Sequence, residues 1–267
     1  MLKCHCQGMT LIELMLTLAS SIFIFLSLAA LYFTAQKNYA LQNSLLIIEE
    51  NANLAIINFQ KNFQLAGNIG SAKLTENFPI TVFGSYNLNI HNKISGDDHS
   101  VTFRGASIDA AGLVEKMVVP NIIRTTIKPR FLIGDIAVIA NYQHAEIFQI
   151  AEATDLKNGN QFIRATAPLA NFYDETASVS LLVNNKLYVK KTTYGNSALY
   201  LANLGNRNFE LVEDIKHLQM TYDVMQDQHL QTLRAAQITD WSKVVGIHID
   251  MLVYHYPLEK HWNIYLA

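Results

Sequence analysis

Hydrophobic and polar positions fall into three regimes along the chain. From Leu14 to Phe33 there are 20 residues without a charge, a glycine or a proline. Apolar residues then recur in steps of three and four at Leu41, Leu45, Ile48, Ala52, Ala55, Ile56, Phe59 and Phe63, with Gln, Asn, Glu and Lys between them. That spacing marks one face of an amphipathic helix. No proline or glycine interrupts Met9 to Ala66, and Gly67 is placed to stop the helix in a left-handed cap. One helix over this stretch would be about 87 Å long at 1.5 Å per residue. Its uniformly apolar half and its two-faced half need different surroundings: first a bilayer or a bundle of like helices, then the flank of a folded domain.

After Gly70 the third regime begins, with short β-branched runs between turn residues. The predicted strands are Ile80 to Phe83, Ser100 to Phe103, Lys116 to Val119, Asp135 to Ala140, Glu146 to Ile150, Gln161 to Arg164, Ser178 to Asn184, Lys186 to Lys191, Phe209 to Val212, Lys216 to Tyr222 and Val245 to Val253. Asn184-Asn185 predicts a tight hairpin turn, because asparagine tolerates the positive backbone angles such a turn requires. Asn87 to Asp98 and Tyr194 to Arg207 read as surface loops. The fold class is therefore α+β: a long N-terminal helix, transmembrane and then amphipathic, packed on a β-rich C-terminal globular domain.

Composition narrows the classes of function. Of 267 residues half are hydrophobic and 16% are charged, which argues against disorder, and the net charge of -2 supplies no basic field for nucleic acid. No direct nucleic-acid binding is expected. The run from Leu14 to Phe33 is about 30 Å long as a helix, which matches the hydrocarbon core of a bilayer. Lys3 before the run favours a cytoplasmic N-terminus and places everything beyond Lys37 on the far side of the membrane. The two cysteines, Cys4 and Cys6, stand with His5 in a triplet whose spacing matches no common zinc pattern.

Catalytic chemistry finds little support. The nine histidines are scattered, and no His-Glu-x-x-His, Gly-x-Ser-x-Gly or phosphate-loop motif occurs. His255 and His261 flank Glu259 in what reads as a solvated loop. Asp97-Asp98 offers oxygen ligands to calcium but reads better as an exposed turn. Trp241, Tyr254, Tyr256, Trp262 and Tyr265 read as packing in the terminal strands rather than as a binding edge, and Lys190-Lys191 is too short to identify an anionic partner. No catalytic, metal-binding or cofactor-binding residue is assigned, and no cofactor or enzymatic activity is expected.

The register at the start of the chain is more specific. Gly8-Met9-Thr10-Leu11-Ile12-Glu13 sets a carboxylate at the mouth of the apolar run. Holding a carboxylate in a membrane segment costs roughly 2.5 to 3.5 kcal/mol, so a chain that keeps one there needs a partner for it. This segment resembles the cleavage and methylation site of type IV prepilins. Further along, Glu50-Asn51 to Ala66-Gly67, Gly134-Asp135 to Ile139 followed by Ala145 to Gln149, Glu210 to Glu213 before Leu218 to Tyr222, and Ala235 to Trp241 before Val244-Val245 are similar to segments of the PilW family of minor type IV pilins. Met9 stands where phenylalanine is usual, Ala30 where many major pilins carry a kinking proline, and Asn141-Tyr142 where relatives can carry a cysteine.

The resemblance implies four segments: a leader over 1–8, a hydrophobic assembly helix over 9–33, its amphipathic continuation over 34–67 and a periplasmic or extracellular domain over 68–267. It implies cleavage between Gly8 and Met9 by a prepilin peptidase, N-methylation of Met9, and loss of both cysteines with the leader. Glu13 would pair with the amine of a neighbouring subunit. Keeping this acid suggests a subunit that is not the outermost one. The partners implied are other minor pilins, the major pilin, an inner-membrane assembly platform and a tip adhesin. The chain would sit in the inner membrane before assembly and in the fibre at the cell surface afterwards, supporting adhesion, twitching motility or DNA uptake. A pseudopilin of a type II secretion system is the nearest alternative, and a single-pass envelope enzyme the alternative of another class.

Overall fold

The computed structural model describes residues 10–70, 78–83, 90–156, 158–192, 195–205, 207–226 and 229–267. One helix, α1 (Leu11–Leu65), runs unbroken for 55 residues, about 83 Å. Only its second half touches the domain. Ser44, Ile48, Ala52, Ala55, Phe59 and Asn62 are buried, at the three and four spacing of one helical face. Ser44 takes the place predicted for Leu45, which stays exposed. It is buried because its hydroxyl donates to the carbonyls of both Ala40 and Tyr256, each at 3.0 Å, which fixes the point where the helix leaves the domain.

The helix ends as its sequence predicts and is then clamped. Gly67 has φ +77° and its N–H donates to the carbonyl of Arg104 at 2.8 Å. Asn68 continues the clamp, accepting from the Ala106 N–H at 2.6 Å and donating its side-chain amide to the Ala106 carbonyl at 2.9 Å. These bonds seat the helix end on strand β3 (Ser100–Gly112) opposite Gly105. A Cβ on that glycine would collide with the carbonyl oxygen of Leu65, so only glycine allows the approach.

The first core lies between the helix and a four-stranded antiparallel sheet in the order β12 (His229–Leu233), β11 (Ile215–Gln226), β13 (Val244–His255), β14 (Leu258–Leu266). Leu218, Met220, Tyr222, Ile247, Ile249 and Met251 of this sheet meet Ile48, Ala52, Ala55 and Phe59 of the helix. The near ends of β3 and β8 (Ser178–Lys191), with β9 (Ser197–Ala202) and β10 (Asn208–Glu213), complete the enclosure.

The second core is the inside of a barrel. The far end of β3 pairs with β8, which pairs in turn with β5 (Ile136–Ala140), β6 (Ala145–Asp155), β7 (Asn160–Ala165) and β4 (Ile122–Thr126). A bridge between Leu113 and Thr125, with the Val114 N–H on the Arg124 carbonyl at 2.9 Å, returns β4 to β3 and closes the ring. Ala111, Val179, Ile139, Phe148, Ile163 and Ile123 point inward and fill it. On the outside of β5 and β6, Val138, Ala140 and Ile147 are covered by Ile69, Ile90 and the short parallel strand β1 (Ile80–Val82). Burial on both faces explains why β5 reads as an unbroken apolar run rather than an alternating one.

Three expectations need correction. Asn184-Asn185 makes no turn: β8 is one continuous strand of 14 residues. It changes neighbour there instead, pairing with β5 up to Leu181 and with β9 from Lys186. Lys116 to Val119 is not a strand but a loop across the barrel mouth, held by the Met117 N–H on the Tyr173 carbonyl at 2.9 Å and the Leu169 N–H on the Pro120 carbonyl at 2.8 Å. The two predicted surface loops each contain a strand, β2 (Ile94–Gly96) and β9, because backbone pairing with β3 and β8 outweighs their weak local signals.

Candidate functional site

The part of the molecule that its own fold leaves unfinished is the first half of α1. Leu11 to Phe33 form a rod whose large apolar side chains are exposed, Leu16, Phe23, Phe25 and Leu31 each by 67% or more. Among the described residues this is the one helix long and apolar enough to cross a membrane, by length and composition. An apolar face of this length is stable only against lipid or other apolar helices.

The polar atoms of the rod are prepared for such surroundings. Thr17 donates its hydroxyl to the Leu14 carbonyl at 2.9 Å, Ser21 to Thr17 at 2.6 Å, Ser27 to Phe23 at 2.8 Å and Thr34 to Ala30 at 2.8 Å, and Ser20 donates to Leu16. Each hydroxyl is thus satisfied within its own helix. That is the requirement for a polar group where water is absent.

Glu13 stands at the start of the rod in a capping box with Thr10. Its Oε2 accepts the Thr10 N–H at 2.9 Å, and its own N–H donates to Thr10 Oγ1 at 3.4 Å. The reciprocal pair satisfies two of the helix's otherwise orphaned N-terminal donors and sets a negative charge at the positive end of the helix dipole. The carboxylate is exposed and makes no ion pair among the described residues. Gly8 and Met9, the predicted cleavage and methylation positions, lie outside the described residues, as do Lys3 and the Cys4-His5-Cys6 triplet.

The other singled-out residues disperse into structural duties. Asp97 accepts from the His99 N–H at 2.8 Å and from the Ser100 hydroxyl at 2.7 Å, while Asp98 accepts from the Ala235 N–H at 3.2 Å. Burial opposes ionisation of Asp97, but these donors hold its carboxyl below the ordinary range. Its turn uses the acids for capping, and no group of three metal-ligating side chains occurs among the described residues. Trp241 packs edge-on against Tyr222 with ring centres 5.0 Å apart, and Trp262 packs beside the first core. Tyr254, Tyr256 and Tyr265 remain exposed, contrary to the packing expected of them. His255 binds Asp214 at 2.8 Å and His261 binds Asp250 at 3.2 Å, so neither joins Glu259, which pairs with Lys216 at 3.3 Å.

Sequence reasoning missed two buried carboxylates. Glu146 points into the barrel mouth and accepts four hydrogen bonds: the Ala170 N–H at 2.7 Å, the Asn171 N–H at 2.9 Å, the Asn171 side-chain amide at 2.7 Å and the Tyr173 hydroxyl at 3.2 Å. Burial, then the neighbouring Glu146 charge, pushes the Tyr173 hydroxyl far above its ordinary range. Asp223 accepts from the Thr232 hydroxyl at 2.6 Å and lies 3.0 Å from His248 Nε2. A charged residue inside a mostly apolar strand, as in Ala145 to Ile150, is the signal that could have found Glu146; Asp223 has no local signal.

Compared with protein-family models, with curated proteins and with solved structures, the chain matches none of them.

Proposed function

We propose that the chain is a minor type IV pilin of the PilW kind, a structural subunit that helps to prime a pilus and is built into its tip. The observation that carries this reading is the exposed apolar rod with a single carboxylate at its entrance. A simple anchor needs the rod but not the acid, which is costly in lipid. An assembly helix uses both: apolar stacking against neighbouring rods gives cohesion, and Glu13 paired with a neighbour's amine sets the axial register. Head-to-tail repetition of such a contact does not close on itself and yields an open filament.

The layout of the domain supports the same reading. The second half of α1 packs on an antiparallel sheet, and the barrel is inserted between helix and sheet in chain order, so elaboration is kept off the stem. Before assembly the chain would be a single-pass protein of the inner membrane, released from it by an assembly platform and processed between Gly8 and Met9. The proposed partners are other minor pilins, the major pilin, the prepilin peptidase and a tip adhesin.

The experiment is to shear surface fibres from cells and search them by mass spectrometry for this chain beginning at N-methylated Met9. Finding that terminus in the fibres supports the proposal. Fibres of normal number from which the chain is missing overturn it.

A further inference from the structure

The outer face of the four-stranded sheet carries a chemistry that the stem does not use. Gln219, Asp250 and Asn263 form one row across β11, β13 and β14, and Thr221, His248 and Tyr265 form the next. These six residues, with Ile249 and Ile264, line a shallow depression of about 410 Å³. A tyrosine stands at each end of the strip. Tyr265 stacks on His248 with ring centres 4.4 Å apart and planes 26° apart, yet is 52% exposed, so a ring surface stays open. Tyr254 lies six residues beyond His248 on β13, about 20 Å along the strand at 3.4 Å per residue, but its ring is already engaged by Lys216 Nζ, 5.2 Å from the ring centre, and it closes the strip rather than opening it.

The titratable side chains along the strip already have partners. Asp223 is engaged by Thr232 and His248, Asp250 by His261, and Glu259 by Lys216. What remains for a ligand is the neutral donor and acceptor chemistry of the Gln219 and Asn263 amides and the Thr221 hydroxyl, beside the open face of Tyr265. Each amide presents a donor and an acceptor side by side, the complement of a vicinal diol. An aromatic ring accepts the apolar C–H face of a sugar ring. Neither row holds an aliphatic side chain, and Leu252 in the next row stands between His217 and His261, which is too little apolar surface for the core of a protein interface.

We propose that this strip binds a neutral oligosaccharide. The match is one of hydrogen-bonding groups and shape: two amides and a hydroxyl beside one open ring suit the hydroxyls and C–H face of a sugar, and no lysine or arginine among the described residues lines the depression to select an anionic glycan. The proposal is independent of the stem's role, since neither Tyr265 nor the amides touch the rod.

The test titrates the full chain, in sugar-free zwitterionic micelles, with maltotetraose, cellotetraose and chitotetraose by calorimetry, with a sulfated chondroitin tetrasaccharide as the anionic comparison. Saturable binding of at least one neutral tetrasaccharide is expected, weakened tenfold or more by Gln219→Ala and by Asn263→Ala. Both positions are exposed, so the fold should survive, and Tyr256→Ala, outside the strip, should leave the affinity unchanged. Failure of all three neutral sugars to bind, binding indifferent to both amide variants, or equally tight binding of the sulfated sugar would each overturn it. So would a self-association of the chain, seen in sedimentation, that the same two variants abolish.

Discussion

Asn185 donates its side-chain amide to Asn62 Oδ1 at 2.7 Å and so joins the middle of strand β8 to the last turn of α1 across 123 residues of chain. Asn62 donates its own amide to the Asn58 carbonyl at 2.8 Å, which leaves its oxygen to the strand. Asn185 stands where β8 exchanges one neighbour, between the last pairing with β5 and the first with β9, while its other edge stays paired with β3. Asn185→Ala strands a buried carbonyl oxygen and should cost about 1 to 3 kcal/mol. A lower urea midpoint with an unchanged slope checks this. Asn62→Leu combined with Asn185→Ala should recover part of the loss, because no polar atom is then left unpaired.

Glu146 closes the mouth of the barrel by accepting every donor that the 170–173 loop turns toward it. Glu146→Gln keeps the shape but places an N–H₂ group among donors. Loss of charged hydrogen bonds of this kind is worth about 2 to 3 kcal/mol, so the variant should melt at a clearly lower temperature. An unchanged melting temperature would mean that the loop is held by Met117 and Leu169 alone.

Asp223 makes one part of the stability depend on pH. Burial works to raise its carboxyl, but Thr232, His248 and Tyr265 together hold it below the ordinary range. A folded value below the unfolded one adds stability at higher pH that is lost as the pH falls through the folded value. The stability gap between the natural chain and Asp223→Asn should thus shrink as the pH falls below about pH 4. Urea midpoints measured from about pH 5 down to about pH 2 give the gap directly, and a gap that stayed constant or widened below about pH 4 would refute the assignment.

Much of the architecture was legible where burial is periodic. The step of three and four from Ile48 to Phe59 gave the packed face of α1, Gly67 its end, and the apolar runs at Ile136 and Ala145 two barrel strands. Closure of the barrel was not legible, because it rests on the Leu113 to Thr125 bridge, which leaves no local pattern. Asn184-Asn185 misled because turn propensity is local while the Asn62 bond is not. The polar strands β12 and β14 went unseen for a related reason: their outward residues are hydrophilic and their pairing is set by β11 and β13. At the stem, Thr10 and Glu13 stand three apart in the capping-box pattern, so that geometry could be read from sequence; the Asp223 and His248 pair, 25 residues apart on neighbouring strands, could not.

The central claim is that Glu13 serves assembly rather than folding or anchoring. The capping box is exposed at the tip of the rod, far along the helix from Ser44, where the domain begins. Its loss costs a helix cap of about 1 kcal/mol and leaves both cores untouched. The most direct measurement is the amount of chain in sheared fibres from cells making either the natural protein or Glu13→Ala, alongside its amount in the membrane. The account predicts equal membrane levels and an unaltered domain, with the variant depleted from fibres at least tenfold. Equal amounts in the fibres of both strains would contradict it.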